Sequence, residues 1–258
     1  MKGLVIKDIM CLRKQLTMFA YVMVGVIVVS VMYVLSAKFG NVSMAAKEMM
    51  LDNDMTMIDV KNLGSMALVI FMLLPIAVVG DMVNVFQADG KAGFHKVERS
   101  LPLSVKKCIL AKYISVFALF GMGVFLDVLI AGVLSCLTDL LTFGEFLGVI
   151  FSAASLMSIY SVLVIFFHMI LGYGKESYAQ IFSLLTMGVA AFVFNLKKIW
   201  MFFTTDFSTG DMAGEINLWW MLDFIKEKAW MLVLIAVFVS VLSYLGSCLV
   251  AERKRGVN

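Results

Sequence analysis

Six long apolar runs alternate with shorter polar segments along the chain, at about 16–36, 63–86, 113–137, 146–171, 178–196 and 229–250. Each is long enough to cross the roughly 30 Å hydrocarbon core of a bilayer, which takes about 20 helical residues. Lipid offers no partner to a free backbone amide or carbonyl, so these runs must close their own hydrogen bonds as α-helices. The pattern predicts an all-α integral membrane protein with six transmembrane helices, forming one domain over residues 1–258. No internal repeat, low-complexity tract or soluble domain interrupts it. The first run is too long for the apolar part of a signal peptide, and "VLSAKF" offers no small-x-small cleavage site, so it reads as a span.

Two polar segments carry a pattern of their own. In "ADGKAGFHKVERSLPLSVKKCILAKY", residues 88–113, Phe94, Val97 and Leu101 recur at i, i+3 and i+7, one face of a helix. His95, Lys96, Glu98 and Arg99 fall on the other faces. Pro102 ends that pattern and suits the first turn of a new helix leading into the third run. A short amphipathic helix in a loop over 87–108 follows. It is either a basic loop held to anionic lipid by its lysines or a docking element for a cytoplasmic partner. At the N-terminus, "MKGLVIKDIMCLRKQLTMF" sets Leu4, Met10 and Cys11 on one apolar side, with Lys2, Lys7, Asp8, Arg13 and Lys14 around the remainder. That predicts an interfacial helix ahead of the first span, although a basic flank that only fixes topology has the same appearance.

Composition supports the membrane class. Of 258 residues, 62% are hydrophobic and 15% charged, where a soluble domain carries about a quarter charged. The basic residues flank apolar runs and form no continuous stripe, which argues against a nucleic-acid partner. Their distribution sets orientation, because lysine and arginine concentrate in cytoplasmic loops. With both termini inside, the inner segments hold fourteen basic residues and the outer segments seven, with Lys197 and Lys198 the main dissent. The expected location is the plasma membrane, multi-pass, with both termini cytoplasmic.

The start "KGLVIKDIMCLRKQ", the six spans and "ERSLPLSVKKCILAKY" ahead of the third span together resemble the permease subunits of type-2 ATP-binding-cassette exporters. In that family a Ser-Leu-Pro element, here Ser100, Leu101 and Pro102, precedes a Lys-Tyr pair at the head of the next helix, here Lys112 and Tyr113. The resemblance covers the whole chain in topology and one short stretch in motif. It implies that Phe94, His95, Val97, Glu98, Arg99, Leu101 and Pro102 belong to a coupling helix between spans two and three, seated in a groove of a separate cytoplasmic ATPase. It further implies an N-terminal connecting helix, ATP and magnesium bound by that ATPase rather than by this chain, and a homo- or heterodimer of permeases. The small Gram-positive permeases that export amphipathic peptides and toxins look nearest.

The remaining chemistry is sparse. A P-loop needs G-x-x-x-x-G-K-[ST] to cradle phosphate on backbone amides; the nearest approach, "LGYGKES", has Glu176 after Lys175 and lacks the first glycine, so it reads as a loop glycine pair with a topogenic lysine. Asp81 and Asp127 are the acids inside spans. A charge there costs about 2.5–3.5 kcal/mol on insertion scales, which suits either a translocation-path carboxylate or a hydrogen-bonded packing residue. His95 and His168 lack a second ligand at zinc spacing, and no H-E-x-x-H pair is present. His168 is expected at a helix end. Cys11, Cys108, Cys136 and Cys248 show no C-x-x-C and imply no disulfide framework. Met44, Met49, Met50, Met55 and Met57 in the first outer loop could hold cuprous ion, but they equally suit the apolar face of a short outer helix. In "EINLWWMLDFIKEKAWML", Trp219, Trp220 and Phe224 mark an outer interfacial segment at 215–228, either a gate over the path or an aromatic belt anchor.

The chain therefore reads as the membrane subunit of an exporter for an amphipathic or lipophilic substrate, without catalytic residues or a metal site of its own. An ATPase-independent carrier, or a scaffold or sensor subunit, is the alternative.

Overall fold

The structure is a computed structural model that describes residues 2–11, 13–39, 74–78, 104–137, 142–172, 174–204 and 218–256. Every element among them is helical. The helices are α1 (Lys2–Cys11), α2 (Arg13–Phe39), α3 (Val105–Leu137), α4 (Phe143–Leu171), α5 (Glu176–Thr204) and α6 (Leu218–Gly256). Five of them are long and apolar enough to cross a membrane, over Leu16–Leu35, Val105–Leu137, Phe143–Leu171, Glu176–Val193 and Lys228–Arg253. These lie over five of the six apolar runs. The second run, 63–86, falls outside the described residues except for 74–78, which are helical and place Ile76 in the core. The protein is a multi-pass membrane protein.

Local chemistry sets the helix ends. The Thr142 hydroxyl accepts from the Glu145 amide, and the Glu145 carboxylate accepts from the Thr142 amide at 2.8 Å, a reciprocal cap that starts α4. At the far end of α4, Gly172 and Gly174 adopt φ of 85° and 84°, a region that side-chain-bearing residues rarely enter. The Gly172 amide donates to the His168 carbonyl at 2.8 Å, and the Gly174 amide to Glu176 Oε1 at 2.9 Å. The "LGYGKES" stretch is thus a tight reversal between α4 and α5.

Helix α4 is the centre of the bundle, with 50% of its span buried against only 11% for α5. Its Ser152, Ser155, Ser158 and Ser161 are buried at a spacing of three. Small side chains let membrane helices approach closely, where packing must replace the hydrophobic effect. Against α6 the fit is tight: a β-carbon at Gly246 would meet the Phe166 ring at 2.8 Å. Phe19 and Met23 of α2, Tyr113 and Phe120 of α3, and Phe146 and Ile165 of α4 join one apolar core.

Three expectations need adjustment. The new helix expected after Pro102 is helical from Val105, so residues 105–108, also counted with the loop, belong to the first turn of α3, with the Ser104 carbonyl accepting from the Lys107 and Cys108 amides at 3.0 and 3.3 Å. Hydropathy marks where a helix enters lipid, not where its backbone bonds begin. The 33 residues of α3 reach about 50 Å, well beyond the hydrocarbon core. For the same reason the outer segment is not a separate helix from Leu218 onward. Trp219, Trp220 and Phe224 lie on α6 itself, and no glycine or proline between Leu218 and Trp230 breaks it. On α1, Leu4 and Cys11 are half-buried as expected, but Met10 is 71% exposed and Asp8, which shares the Leu4–Cys11 side, is only 2% exposed.

Candidate functional site

The head of α3 gathers both ends of the chain. Lys112 and Tyr113 are adjacent, so their side chains leave α3 about 100° apart and reach different neighbours. Lys112 Nζ lies 4.0 Å from Asp8 Oδ1 of α1, and Lys7 Nζ lies 2.9 Å from the same oxygen. The Lys112 and Asp8 side chains are both nearly inaccessible. Two charges leave water at a cost of several kcal/mol each, which only a close partner offsets. This accounts for an acid on the inward side of α1: Asp8, between Leu4 and Cys11, meets a buried lysine.

Tyr113 turns to α6 and α4. Its hydroxyl is 2.7 Å from Ser243 Oγ and 3.3 Å from Ser247 Oγ. Ser243 donates its single proton to the Val162 carbonyl at 3.0 Å, so Tyr113 donates to Ser243 and accepts from Ser247. The chain Ser247–Tyr113–Ser243–Val162 runs through three helices in a buried setting, where consecutive bonds polarise one another. The Tyr244 ring adds an edge contact at 5.6 Å between centroids. At the periphery, Lys106 Nζ meets Glu252 Oε1 at 3.3 Å with both side chains exposed.

A second polar locus lies midway along α3. Asp127 is 0% exposed, and among the described residues neither carboxylate oxygen has a hydrogen-bond partner. It sits on the buried face of α3 between Gly123 and Ala131. Ser30 of α2 is also buried with its hydroxyl unpartnered. That is unusual in this molecule. Ser115, Ser155, Ser161, Ser183 and Ser240 each return the hydroxyl to the carbonyl four residues back, at 2.6–3.0 Å, the ordinary outcome in an apolar helix.

Phe94, His95, Val97, Glu98, Arg99, Leu101, Pro102 and Asp81 lie outside the described residues, as do the five methionines of the first outer loop. The four cysteines are free thiols. His168 stands in the last turn of α4, as expected of a helix-end residue, but it is buried. Among the described residues no three potential metal ligands come together. Ser243 and Ser247 escaped the sequence reading, although Ser240, Ser243 and Ser247 recur at i, i+3 and i+7 within an apolar run. In lipid, that spacing marks a face turned toward protein.

The model of a family described as ABC-2 family transporter protein matches residues 54–253, a stretch that takes in the Tyr113 hydroxyl chain and Asp127. No curated protein and no solved structure matches this chain.

Proposed function

The chain belongs to the ABC-2 family of transporter proteins and is an ABC transporter permease, and from that premise we propose that it is the membrane half of an exporter. Its cargo is an amphipathic or lipophilic substrate, peptides and peptide toxins included, moved outward across the plasma membrane. A separate cytoplasmic ATPase carries ATP and magnesium, and a second permease, identical or related, completes the path.

The observation that carries this reading is the clasp at the head of α3. The loop holding Phe94, His95, Val97, Glu98, Arg99, Leu101 and Pro102 ends where α3 begins, eight residues before Lys112 and Tyr113. A pull on that loop reaches α1 through Asp8, α6 through Ser243 and Ser247, and α4 through the Val162 carbonyl. Packed helices that shift as rigid bodies turn a small displacement at one interface into a change elsewhere. ATP-driven closure of the partner ATPases supplies that displacement. Asp127 and Asp81 then border the path, and Trp219, Trp220 and Phe224 stand at its outer end.

Connectivity is compatible with six crossings, and the bias of basic residues would put both termini in the cytoplasm. Helix α2 follows α1, whose Asp8 adjoins the head of α3, and α3 departs from that same end. A second span over 63–86 would suit that arrangement, and the helical residues 74–78, with Ile76 in the core, agree with it.

The test is co-purification. The protein should bring down a soluble ATPase bearing a P-loop, and changing Phe94→Asp together with Val97→Asp should abolish that association while the permease still inserts. Association that survives the double change overturns the assignment of the coupling helix. Absence of any ATPase, with transport retained, favours an ATPase-independent carrier instead.

A further inference from the structure

We propose that the Tyr113 hydroxyl is a two-position latch, seated on Ser243 or on Ser247 of α6 as the head of α3 slides along that helix. The inference rests on the transporter reading and deepens it, naming the contact that changes within the joint at the head of α3.

Both seats are already within reach. The hydroxyl lies 2.7 Å from Ser243 Oγ and 3.3 Å from Ser247 Oγ. The two serines stand four residues apart on α6, about 6 Å along its axis, so the hydroxyl is poised between them. A phenol carries one proton and donates it to one acceptor at a time. Tyr113, Ser243 and Ser247 are all buried, where a hydroxyl left without a partner is costly.

Neither serine is stranded when the other is taken. Ser243 keeps its bond to the Val162 carbonyl of α4 at 3.0 Å. Ser247 has the carbonyl four residues back, the acceptor that Ser115, Ser183 and Ser240 use on their own helices. A slide therefore exchanges one hydroxyl for another and leaves no buried donor empty. Packed interfaces switch between discrete arrangements of this sort rather than deform continuously.

The contacts on either side of α6 say which helix moves. Helix α6 is locked to α4: the Phe166 ring fills the space that a β-carbon at Gly246 would need, Ser243 bonds Val162, and Trp230 stacks on Phe151 at 6.2 Å between centroids. Those three pairs are 79–81 residues apart in sequence, so one register holds along both helices. The head of α3 meets α6 through the two hydroxyl seats, the Tyr244 ring edge and the exposed Lys106–Glu252 pair, contacts that follow a slide of about half a helical turn. Lys106 beside Glu252, with Tyr113 beside Ser243 and Ser247, sets α3 antiparallel to α6. Drawing the preceding loop away from α3 thus carries Tyr113 toward Ser247, and pressing it inward carries Tyr113 toward Ser243.

The experiment measures the distance between two spin labels on the full chain in lipid nanodiscs. The labels go on Lys106→Cys and Leu234→Cys, both exposed positions, with the four native cysteines changed to alanine. Leu234 lies 18 residues before Glu252, about 27 Å along α6, so a slide of α3 reads as a change in distance. Ser243→Ala leaves only the Ser247 seat and should lengthen the mean distance. Ser247→Ala should shorten it, the two means differing by about 3–6 Å. Tyr113→Phe empties both seats and should spread the distribution across both means. Means that coincide for the two serine variants, as a simple packing role predicts, overturn the latch, and so does the opposite order. If either serine variant fails to insert, Tyr113→Phe decides: a distribution as narrow as that of the native chain overturns the latch. Because no ATPase enters this assay, its failure leaves the co-purification result standing, and the two readings fail separately.

Discussion

Two places on α3, fifteen residues apart, treat buried charge in opposite ways. At the head, Lys112 reaches Asp8 on α1, while the adjacent Tyr113 hydroxyl is taken up by serines of α6. In the middle, Asp127 is more deeply buried still, and its carboxylate meets no donor. Both lie on one helix against the same core, so burial alone does not account for the difference. The head is finished by the fold, with partners drawn from opposite ends of the chain. The middle is finished by no donor among the described residues, which is the difference that the proposed path would use.

Removing a carboxylate should separate the two most sharply. Asp8→Ala removes the carboxylate that Lys112 and Lys7 share, and breaking a buried pair from one side costs about 3–5 kcal/mol. We expect a loss of about 3 kcal/mol in denaturant or thermal unfolding of the purified chain, since Lys7 retains some access to water. The pair Asp8→Ala with Lys112→Met should recover much of that loss. Asp127→Asn removes a charge that nothing answers, so it should leave stability equal or higher. Matching losses at Asp8 and Asp127 would erase the distinction between joint and path.

A hydroxyl tests the joint more gently. Tyr113→Phe keeps the ring against Tyr244 and the core but deletes the link between Ser247 and Ser243. A net hydrogen bond is worth about 0.5–1.5 kcal/mol, and Ser243 keeps its bond to Val162. We expect a loss of about 1 kcal/mol in unfolding. If the joint transmits motion, ATPase turnover by the assembled transporter should persist while transport per ATP falls. A simple packing role would lower stability and leave that ratio unchanged.

The bundle was legible because the bilayer imposes its own length on apolar runs, and five of the six runs coincide with described helices. Helix starts were less legible. "LPLSVKK" is too polar to register as span, yet Val105 onward is helical because the Ser104 carbonyl can accept its first bonds and nothing downstream breaks the ladder. The joint was half legible. Lys112 and Tyr113 stood out through a family resemblance, but their partners lie 104 and 130 residues away and no local pattern connects them. Asp8 misled for the same reason: its charge assigned it to the polar face although it shares a side with Leu4 and Cys11, and only a buried lysine from a distant helix accounts for it there. Asp127 was visible as an acid in a span. Its lack of a donor was not, since that depends on every helix around it.

The smallest effect belongs to the rim of the joint. Lys106 and Glu252 link the first turn of α3 to the last turns of α6, but with both side chains open to solvent. Exposed pairs of this kind contribute about 0–1 kcal/mol and are screened by salt, so Lys106→Ala should shift unfolding by less than about 0.5 kcal/mol. Raising ionic strength should erase that small shift, while the Asp8→Ala loss persists because salt screens buried pairs far less. Should the rim pair prove worth as much as the buried one, the head of α3 would be held from outside. The inward turn of Asp8 would then need another cause.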